Sequence, residues 1–204
     1  MKGYFIAFEG GEGAGKSPQE ARLARALTER GHTIVRTREP GGTPAAEIMR
    51  DLVLNPKYEG LDARAEALLF AAARGEHVAR IVRPAIERGE VVICDRYIDS
   101  SVAYQGYGRD LGPDRIRELS LWATRDLVPD LTIVLDMSPE IGLSRVSNPD
   151  RVEAEPLMYH ESVRQAYLTI AAQDPDRYLV LAAMQDVTVI AAAILERALA
   201  GLHD

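Results

Sequence analysis

Short apolar runs alternate along the chain with longer segments of helical periodicity. The short runs predict five strands, at Tyr4 to Phe8, Thr33 to Thr37, Val91 to Cys94, Leu131 to Leu135 and Tyr178 to Leu181. Apolar spacing of three and four residues predicts helices between them, at Ser17 to Arg30, Pro44 to Leu54, Ala63 to Arg88, Pro113 to Trp122, Pro139 to Val146, Met158 to Gln173 and Val187 to Leu199. This alternation is typical of βαβ units, so we expect an α/β fold whose mostly parallel, five-stranded sheet is flanked by helices.

One segment interrupts the alternation. Ser147 to Pro156 is charged, contains prolines and separates two helical patterns, which predicts a mobile loop. The chain has 204 residues, 47% of them hydrophobic, with no internal repeat, so we expect one domain over residues 1–204.

Composition narrows the class of partner. The formal net charge is -7, and a negatively charged protein is poorly suited to bind a nucleic acid polymer. The apolar stretch within the first ten residues is too short for a signal peptide. No run in the sequence approaches the roughly twenty apolar residues of a membrane span. We therefore expect a soluble, cytoplasmic protein whose single cysteine, Cys94, fills the core.

A phosphate-binding motif follows the first predicted strand and opens the first predicted helix. It matches G-x-x-x-x-G-K-[ST] and consists of Gly10, Gly11, Glu12, Gly13, Ala14, Gly15, Lys16 and Ser17. Its backbone amides and helix N-terminus favour phosphate, Lys16 is expected to reach the β- and γ-phosphates, and Ser17 to bind Mg²⁺. Pro18 removes an amide that would otherwise face the nucleotide.

A carboxylate at the end of another strand is expected to complete the magnesium site. Asp95 and Asp136 both follow buried strands. We favour Asp95, because the adjacent Arg96 is suited to clamp an acceptor's phosphate, whereas Asp136 would cap the next loop.

Two further segments carry candidate ligand-binding side chains. Arg38 lies in a proline- and glycine-containing turn after the second strand. Phe70 and Arg74 are four residues apart, which places an aromatic ring beside a planar donor on one helix face. Taken alone, the pair is also compatible with a core phenylalanine and a solvated arginine.

These residues, in order and spacing, resemble bacterial thymidylate kinases over nearly the whole chain. The matching segments are Phe8 to Ser17, Thr37 to Thr43, Leu68 to Arg74, Asp95 to Gly106, Asp150 to Glu153 and Tyr167. The R-E-P-G-G turn followed by D-R-Y and S-S-x-A-Y-Q-G is specific to that family, whereas the phosphate loop is widely shared.

The resemblance implies a P-loop kinase fold with a short lid at residues 147–156, ATP and Mg²⁺, dTMP as acceptor, and a homodimer. It implies that Arg96, with Arg38 nearby, holds the acceptor phosphate while Glu9 orders the phosphate and magnesium region. It further implies the remaining acceptor contacts: Phe70 stacked on the base, Arg74 on a ring carbonyl, Ser101 and Gln105 on the base edge, and Tyr104 against the sugar's 2′ position.

Family members supply a catalytic cation from the phosphate loop or the lid. The variable loop positions here are not basic, so the resemblance implies a lid arginine, with Arg151 first and Arg145 second. The chain departs from the family at Pro18, where threonine is usual, and at Ala73, where aspartate is usual and would orient Arg74. One alternative is another P-loop deoxynucleoside or nucleoside monophosphate kinase. Another is a degenerate member that, because of these departures, binds nucleotide weakly and serves as a scaffold. A third is a switch protein that hydrolyses GTP, against which no N-K-x-D segment follows a late strand.

Overall fold

In the computed structural model, residues 3–202 are described. Five strands form one sheet in the order β2-β3-β1-β4-β5, and all four neighbouring pairs are parallel. The strands are β1 (Tyr4–Glu9), β2 (Ile34–Arg38), β3 (Val91–Asp95), β4 (Leu131–Asp136) and β5 (Tyr178–Ala182). The predicted α/β fold is confirmed, and every predicted strand is present with its ends displaced by no more than about one residue.

Helices connect the strands. They are α1 (Lys16–Thr28), α2 (Pro44–Leu54), α3 (Ala63–His77), α4 (Arg83–Glu87), α5 (Ile98–Ser101), α6 (Pro113–Thr124), α7 (Pro139–Leu143), α8 (Leu157–Ala172) and α9 (Val187–Leu202). A single 3₁₀ turn, Pro56–Tyr58, follows α2. The Thr43 hydroxyl caps α2 by accepting a hydrogen bond from Ala46 N, and Pro44 occupies the first turn, where its missing N–H has no intrahelical partner to lose.

Two helical regions differ from the prediction. The expected helix from Ala63 to Arg88 consists of α3 and α4 joined by a π-helical turn, Val78–Val82. Pro84 follows this turn and cannot donate to the preceding turn, so the wider π geometry accommodates it. A second π-helical segment, Val102–Gly108, continues α5 and holds most of the S-S-x-A-Y-Q-G motif.

The apolar core lies on both faces of the sheet. Alternation along β1 directs Phe5 and Ala7 to one cluster and Ile6 and Phe8 to the other, and all four side chains are buried. Cys94 is buried as expected. Burying both faces fixes the strand register, which sets the positions of the loops at the strands' carboxyl ends. None of the helices within residues 3–202 is long and apolar enough to cross a membrane.

Candidate active site

A cleft of about 330 Å³ opens at the carboxyl ends of β1 and β3. Parallel α/β sheets bind ligands at this edge. The cleft is lined by the phosphate loop, by α2 and α3, by the segment after β3 and by part of the lid. It thus brings together most of the side chains that the sequence analysis selected, including Lys16, Phe70, Arg74, Asp95, Arg96, Ser101, Tyr104 and Gln105.

The phosphate loop adopts a backbone that requires glycine at two positions. Gly10 and Gly13 have positive φ angles of 131° and 63°. A Cβ at Gly10 would lie 2.4 Å from the Leu135 carbonyl oxygen, and one at Gly13 would lie 2.3 Å from a backbone oxygen of α7. Lys16 Nζ donates to the Gly10 and Gly11 carbonyls at 3.0 and 3.1 Å, and burial followed by the charge of Arg96 lowers its pKa. The ammonium group is therefore held at the centre of the loop.

The proposed magnesium ligands fit a divalent cation. Asp95 lines the cleft beside the exposed Ser17, and its Oδ1 is buried without a hydrogen-bond partner. A buried carboxylate oxygen that lacks a partner is costly unless a cation or water satisfies it. Mg²⁺ usually keeps several waters and is bound through one or two side chains and substrate phosphates, so Ser17 and Asp95 are a sufficient pair of protein ligands for it. Asp136, the competing candidate, accepts two hydrogen bonds from Arg164, at 2.6 and 2.8 Å.

Arg96 crosses the floor of the cleft in a strained backbone conformation. Its φ of 67° lies in the left-handed region, which is uncommon for residues other than glycine and is often found at functional sites. Its guanidinium donates to Glu12 at 2.8 Å and to the Gly10 carbonyl at 3.1 Å. Glu12 also accepts from the Tyr104 hydroxyl at 2.6 Å. Burial raises the Glu12 pKa, but Arg96 and Lys16 outweigh it and lower that pKa to about 2.

Glu9 orders the segment after β3 from beneath the cleft. Its fully buried carboxylate accepts from the Tyr97 amide at 2.8 Å, the Ser100 hydroxyl at 2.6 Å and the Tyr167 hydroxyl at 3.0 Å. Burial and the nearby Asp99 raise the Glu9 pKa to about 7. Ser100 and Tyr167 also accept from Arg96, so Glu9 acts on the cleft through these two side chains.

Arg74 is held by a buried network. Its Nε donates to Glu39 at 2.7 Å, and its terminal nitrogens donate to Ser120, Ser101 and the Tyr97 carbonyl at 2.9 to 3.0 Å. Glu39 also bonds to His77 at 2.8 Å. Arg74 is therefore firmly oriented although alanine stands at position 73.

The other residues assigned to the base and sugar occupy the same wall. Phe70 is half-buried, and Ser101, Tyr104 and Gln105 are buried. Gln105 Nε2 donates to Glu66 at 2.9 Å. Ser101 and Gln105 are four residues apart in the helical segment after β3, and both side chains line the cleft that α3 also borders.

Arg38 is oriented away from the cleft lining. Its guanidinium forms two hydrogen bonds of 2.9 Å with Glu47, and its side chain is half exposed. Arg50, one turn after Glu47 on α2, lines the cleft instead and donates to the Pro40 carbonyl at 2.8 Å. Burial, then repulsion from Arg38, lowers the Arg50 pKa.

The two lid arginines have different environments. Arg151 is 9% exposed and donates to Glu66 at 2.5 Å and to the Val53 carbonyl at 2.9 Å. Arg145 donates to the Gly13 carbonyl at 2.9 Å, and this contact is exposed. Arg145 is thus the one of this pair that contacts the phosphate loop.

Sequence reasoning missed three side chains that build the site. Arg50 lies on α2 without a motif of its own, and Glu66 reads as an ordinary surface charge on α3. Glu39 belongs to the R-E-P-G-G turn, but its partners lie 35 and 38 residues away. The signal for Glu39 was the turn itself, since a rigid turn next to a predicted ligand often supports a functional side chain.

The parallel sheet and the phosphate loop with its lysine, at a cleft that is also lined by arginines, define a P-loop phosphotransferase. A family model described as thymidylate kinase matches residues 8–194. The chain belongs to the thymidylate kinase family.

Relatives cover nearly the full chain. It is 51% identical over 202 residues to a thymidylate kinase of Clavibacter sepedonicus, covering 97% of this chain and 95% of that protein. It is 53% identical over 196 residues to a thymidylate kinase of Leifsonia xyli subsp. xyli, covering 94% and 92%. The crystal structure of thymidylate kinase from Ehrlichia chaffeensis matches with a TM-score of 0.79 at 33% identity, covering 96% and 98%.

Proposed function

We propose that this protein transfers the γ-phosphate of ATP to dTMP, giving dTDP and ADP. The observation that carries the proposal is the buried Arg74, fixed at the cleft beside Phe70 with Arg96 in the same lining. A planar donor and an aromatic ring suit a pyrimidine with a ring carbonyl, and a second arginine suits its phosphate.

On the donor side, the loop amides and Lys16 would bind the phosphates of ATP. Ser17 and Asp95 would hold Mg²⁺. When bound, that ion neutralises charge on the β- and γ-phosphate oxygens. The protein's own contribution is largely to hold donor and acceptor in line, which is the main requirement of phosphoryl transfer.

Besides Arg74, the arginines that line the cleft are Arg96 and Arg50, and these two would bind the acceptor's phosphate. Arg38 is bound to Glu47, so it would join the phosphate site by rotating away from that carboxylate once a phosphate is bound. Glu12 keeps Arg96 in position from the donor side. One guanidinium would thus link the two substrate sites.

The base and sugar would be recognised by polar groups with fixed partners. Arg74 uses four of its five N–H donors on protein groups, at distances of 2.7 to 3.0 Å, which leaves one for a ring carbonyl. Ser101 and Gln105 would contact the base edge, and Tyr104 would crowd a 2′-hydroxyl. A wrong base would leave these buried groups unpaired, which discriminates more strongly than apolar fit.

For the lid cation, both Arg151 and Arg145 stay candidates, and Arg145 has the stronger geometric support. It contacts the phosphate loop through Gly13, whereas Arg151 would have to leave a buried carboxylate. An arginine at the transferred phosphoryl group would stabilise the charge of the transition state.

A homodimer and a cytoplasmic location belong to the proposal as well. Ile48, Leu68 and Trp122 are 67%, 58% and 81% exposed and lie on α2, α3 and α6, which pack side by side. Exposed large apolar side chains on adjoining helices are typical of an interface between protein copies. Acceptor and donor are small molecules, and the negative charge argues against a nucleic acid polymer as partner.

The direct test is ADP release from ATP and Mg²⁺ with dTMP, dUMP, dCMP, AMP, thymidine or no acceptor. We expect dTMP to stimulate release most strongly. Arg96→Lys keeps one charge but loses the paired donors, so it should raise the KM for dTMP at least tenfold and leave ATP binding nearly unchanged. Equal stimulation by AMP, or an unaltered KM in this variant, would contradict the proposal.

A further inference from the structure

Glu66 occupies a position between the lid and the base-recognising wall. The carboxylate is fully buried and lies on α3. Its Oε1 accepts from Gln105 Nε2 at 2.9 Å and from Arg109 Nε at 3.3 Å. Its Oε2 accepts from Arg151 at 2.5 Å and from a terminal nitrogen of Arg109 at 3.3 Å. One carboxylate therefore joins the helical segment after β3 to the lid.

This contact fixes the direction in which the Gln105 amide faces. A carboxylate accepts hydrogen bonds and has none to donate, so the Gln105 NH₂ group must face Glu66. The Gln105 carbonyl oxygen then lies on the other side, and it accepts no hydrogen bond from any other residue in the range 3–202. Gln105 lines the cleft, so the group it offers a ligand is an acceptor.

We propose that Glu66 is a positioning residue that sets base selectivity by holding Gln105 in its acceptor orientation. The inference rests on the proposed function. An acceptor at this point fits thymine, whose N3 carries a hydrogen, and opposes cytosine, whose N3 carries a lone pair. Glu66 touches neither base nor phosphate and acts only through Gln105.

Arg151 determines the orientation that an amide in place of Glu66 would take. In Glu66→Gln, Arg109 still donates toward both oxygen positions, whereas Arg151 donates only to the Oε2 position, at 2.5 Å. The new carbonyl oxygen is therefore held at the Oε2 position by Arg151. The new NH₂ group then occupies the Oε1 position and meets the NH₂ group of Gln105. Gln105 must reverse its amide, and it then offers a donor to the base.

The test measures kcat/KM for dTMP and dCMP in the wild type and in Glu66→Gln. We expect kcat/KM for dTMP to fall at least tenfold through KM, while that for dCMP is unchanged or rises. A loss that reflected general damage would lower both acceptors equally. The expected tenfold change corresponds to about 1.4 kcal/mol. A ratio of kcat/KM for dTMP to kcat/KM for dCMP that stays within about twofold of the wild-type ratio would overturn the inference.

A double variant supplies the rescue. In Glu66→Gln with Gln105→Glu, the new carboxylate accepts from the new amide and again offers an acceptor oxygen to the base. We expect the preference for dTMP to return, with Gln105→Leu as the control that has no group to orient. If Glu66→Gln alone is too unstable to assay, the double variant is the test, because it keeps one carboxylate and one amide and so conserves the charge. A folded double variant that does not prefer dTMP would overturn the inference.

The proposed function can fail separately. A wild-type protein that phosphorylates dCMP or AMP as well as dTMP would refute the proposed function before any variant is compared. A wild type selective for dTMP with an unaltered ratio in Glu66→Gln would refute only the role of Glu66.

Discussion

Replacing each lid arginine by methionine separates anchoring of the lid from stabilisation of the transition state. Methionine keeps most of the apolar length and removes the guanidinium. In Arg151→Met, Glu66 loses its shortest ion pair, the 2.5 Å contact, and keeps Arg109 at 3.3 Å and Gln105 at 2.9 Å. The Val53 carbonyl also loses a donor at 2.9 Å.

The expected cost follows from these contacts. Removing one partner of a buried ion pair costs about 3–5 kcal/mol. Because Glu66 retains Arg109 and Gln105, the lower end applies, at about 3 kcal/mol. For a protein of this size each kcal/mol lowers Tm by about 2–4 °C, so Arg151→Met should melt roughly 6–12 °C below the wild type.

Arg145→Met should give the opposite result. Its contact with the Gly13 carbonyl is exposed, so the change in Tm should be small. Loss of a cation at the transferred phosphoryl group should lower kcat by about 10²–10³. Thermal unfolding followed by circular dichroism, together with kcat at saturating ATP and dTMP, measures both effects. If Arg151→Met keeps its Tm within about 2 °C of the wild type and loses kcat about 10²-fold, Arg151 is the catalytic cation and this reasoning is refuted.

Three further predictions concern other parts of the molecule. Glu12→Gln should be less stable than the wild type at neutral pH by about 3 kcal/mol, because folding lowers the Glu12 pKa from 4.5 to about 2. This contribution to stability is complete above about pH 5 and is lost as the pH falls from 4.5 toward 2. Urea unfolding of both proteins at several pH values would measure it. A stability difference independent of pH would contradict that assignment. Ala73→Asp should lower Tm, because position 73 is fully buried. It should not raise activity, because Arg74 already has four protein acceptors. A gain in kcat/KM for dTMP would show that Arg74 is poorly held in the wild type. Trp122→Glu should shift a dimer to a monomer in analytical ultracentrifugation, and a monomeric wild type would contradict the proposed interface.

The strands and the phosphate loop could be predicted from the sequence because both depend on local pattern. An apolar run predicted β1 directly before the glycine-rich loop, and helical periodicity predicted α1 directly after it. The continuous apolar run Val91 to Cys94 also located the carboxyl end of β3, where Asp95 and Arg96 lie. These features need no knowledge of which residues meet in space.

The side-chain partners could not be predicted in this way. Arg38 and Arg50 are twelve positions apart with similar chemistry, and only the packing of α2 determines that Arg50 lines the cleft while Glu47 binds Arg38. The lid arginines present the same difficulty, because the Glu66 partner of Arg151 lies 85 residues earlier in the chain. Contacts of this length depend on the assembled fold.

The π-helical geometry of two segments could not be predicted from the sequence pattern either. Val78–Val82 lies within a segment whose apolar spacing predicted one ordinary helix, and no helix was predicted where Val102–Gly108 lies. Their hydrogen bonds run from residue i to i+5; the first segment lies directly before Pro84, and the second lines the cleft. The second segment sets the direction of Tyr104 and Gln105, so base recognition depends on geometry that periodicity does not encode.

A competition experiment tests the central claim most directly. The protein is given γ-labelled ATP and Mg²⁺ with equimolar dTMP, dUMP, dCMP, AMP and GMP in one vessel, and the labelled diphosphates are separated at early time. The account predicts that dTDP carries nearly all of the transferred label. Label mainly in another diphosphate, or label that appears only as inorganic phosphate, would contradict it.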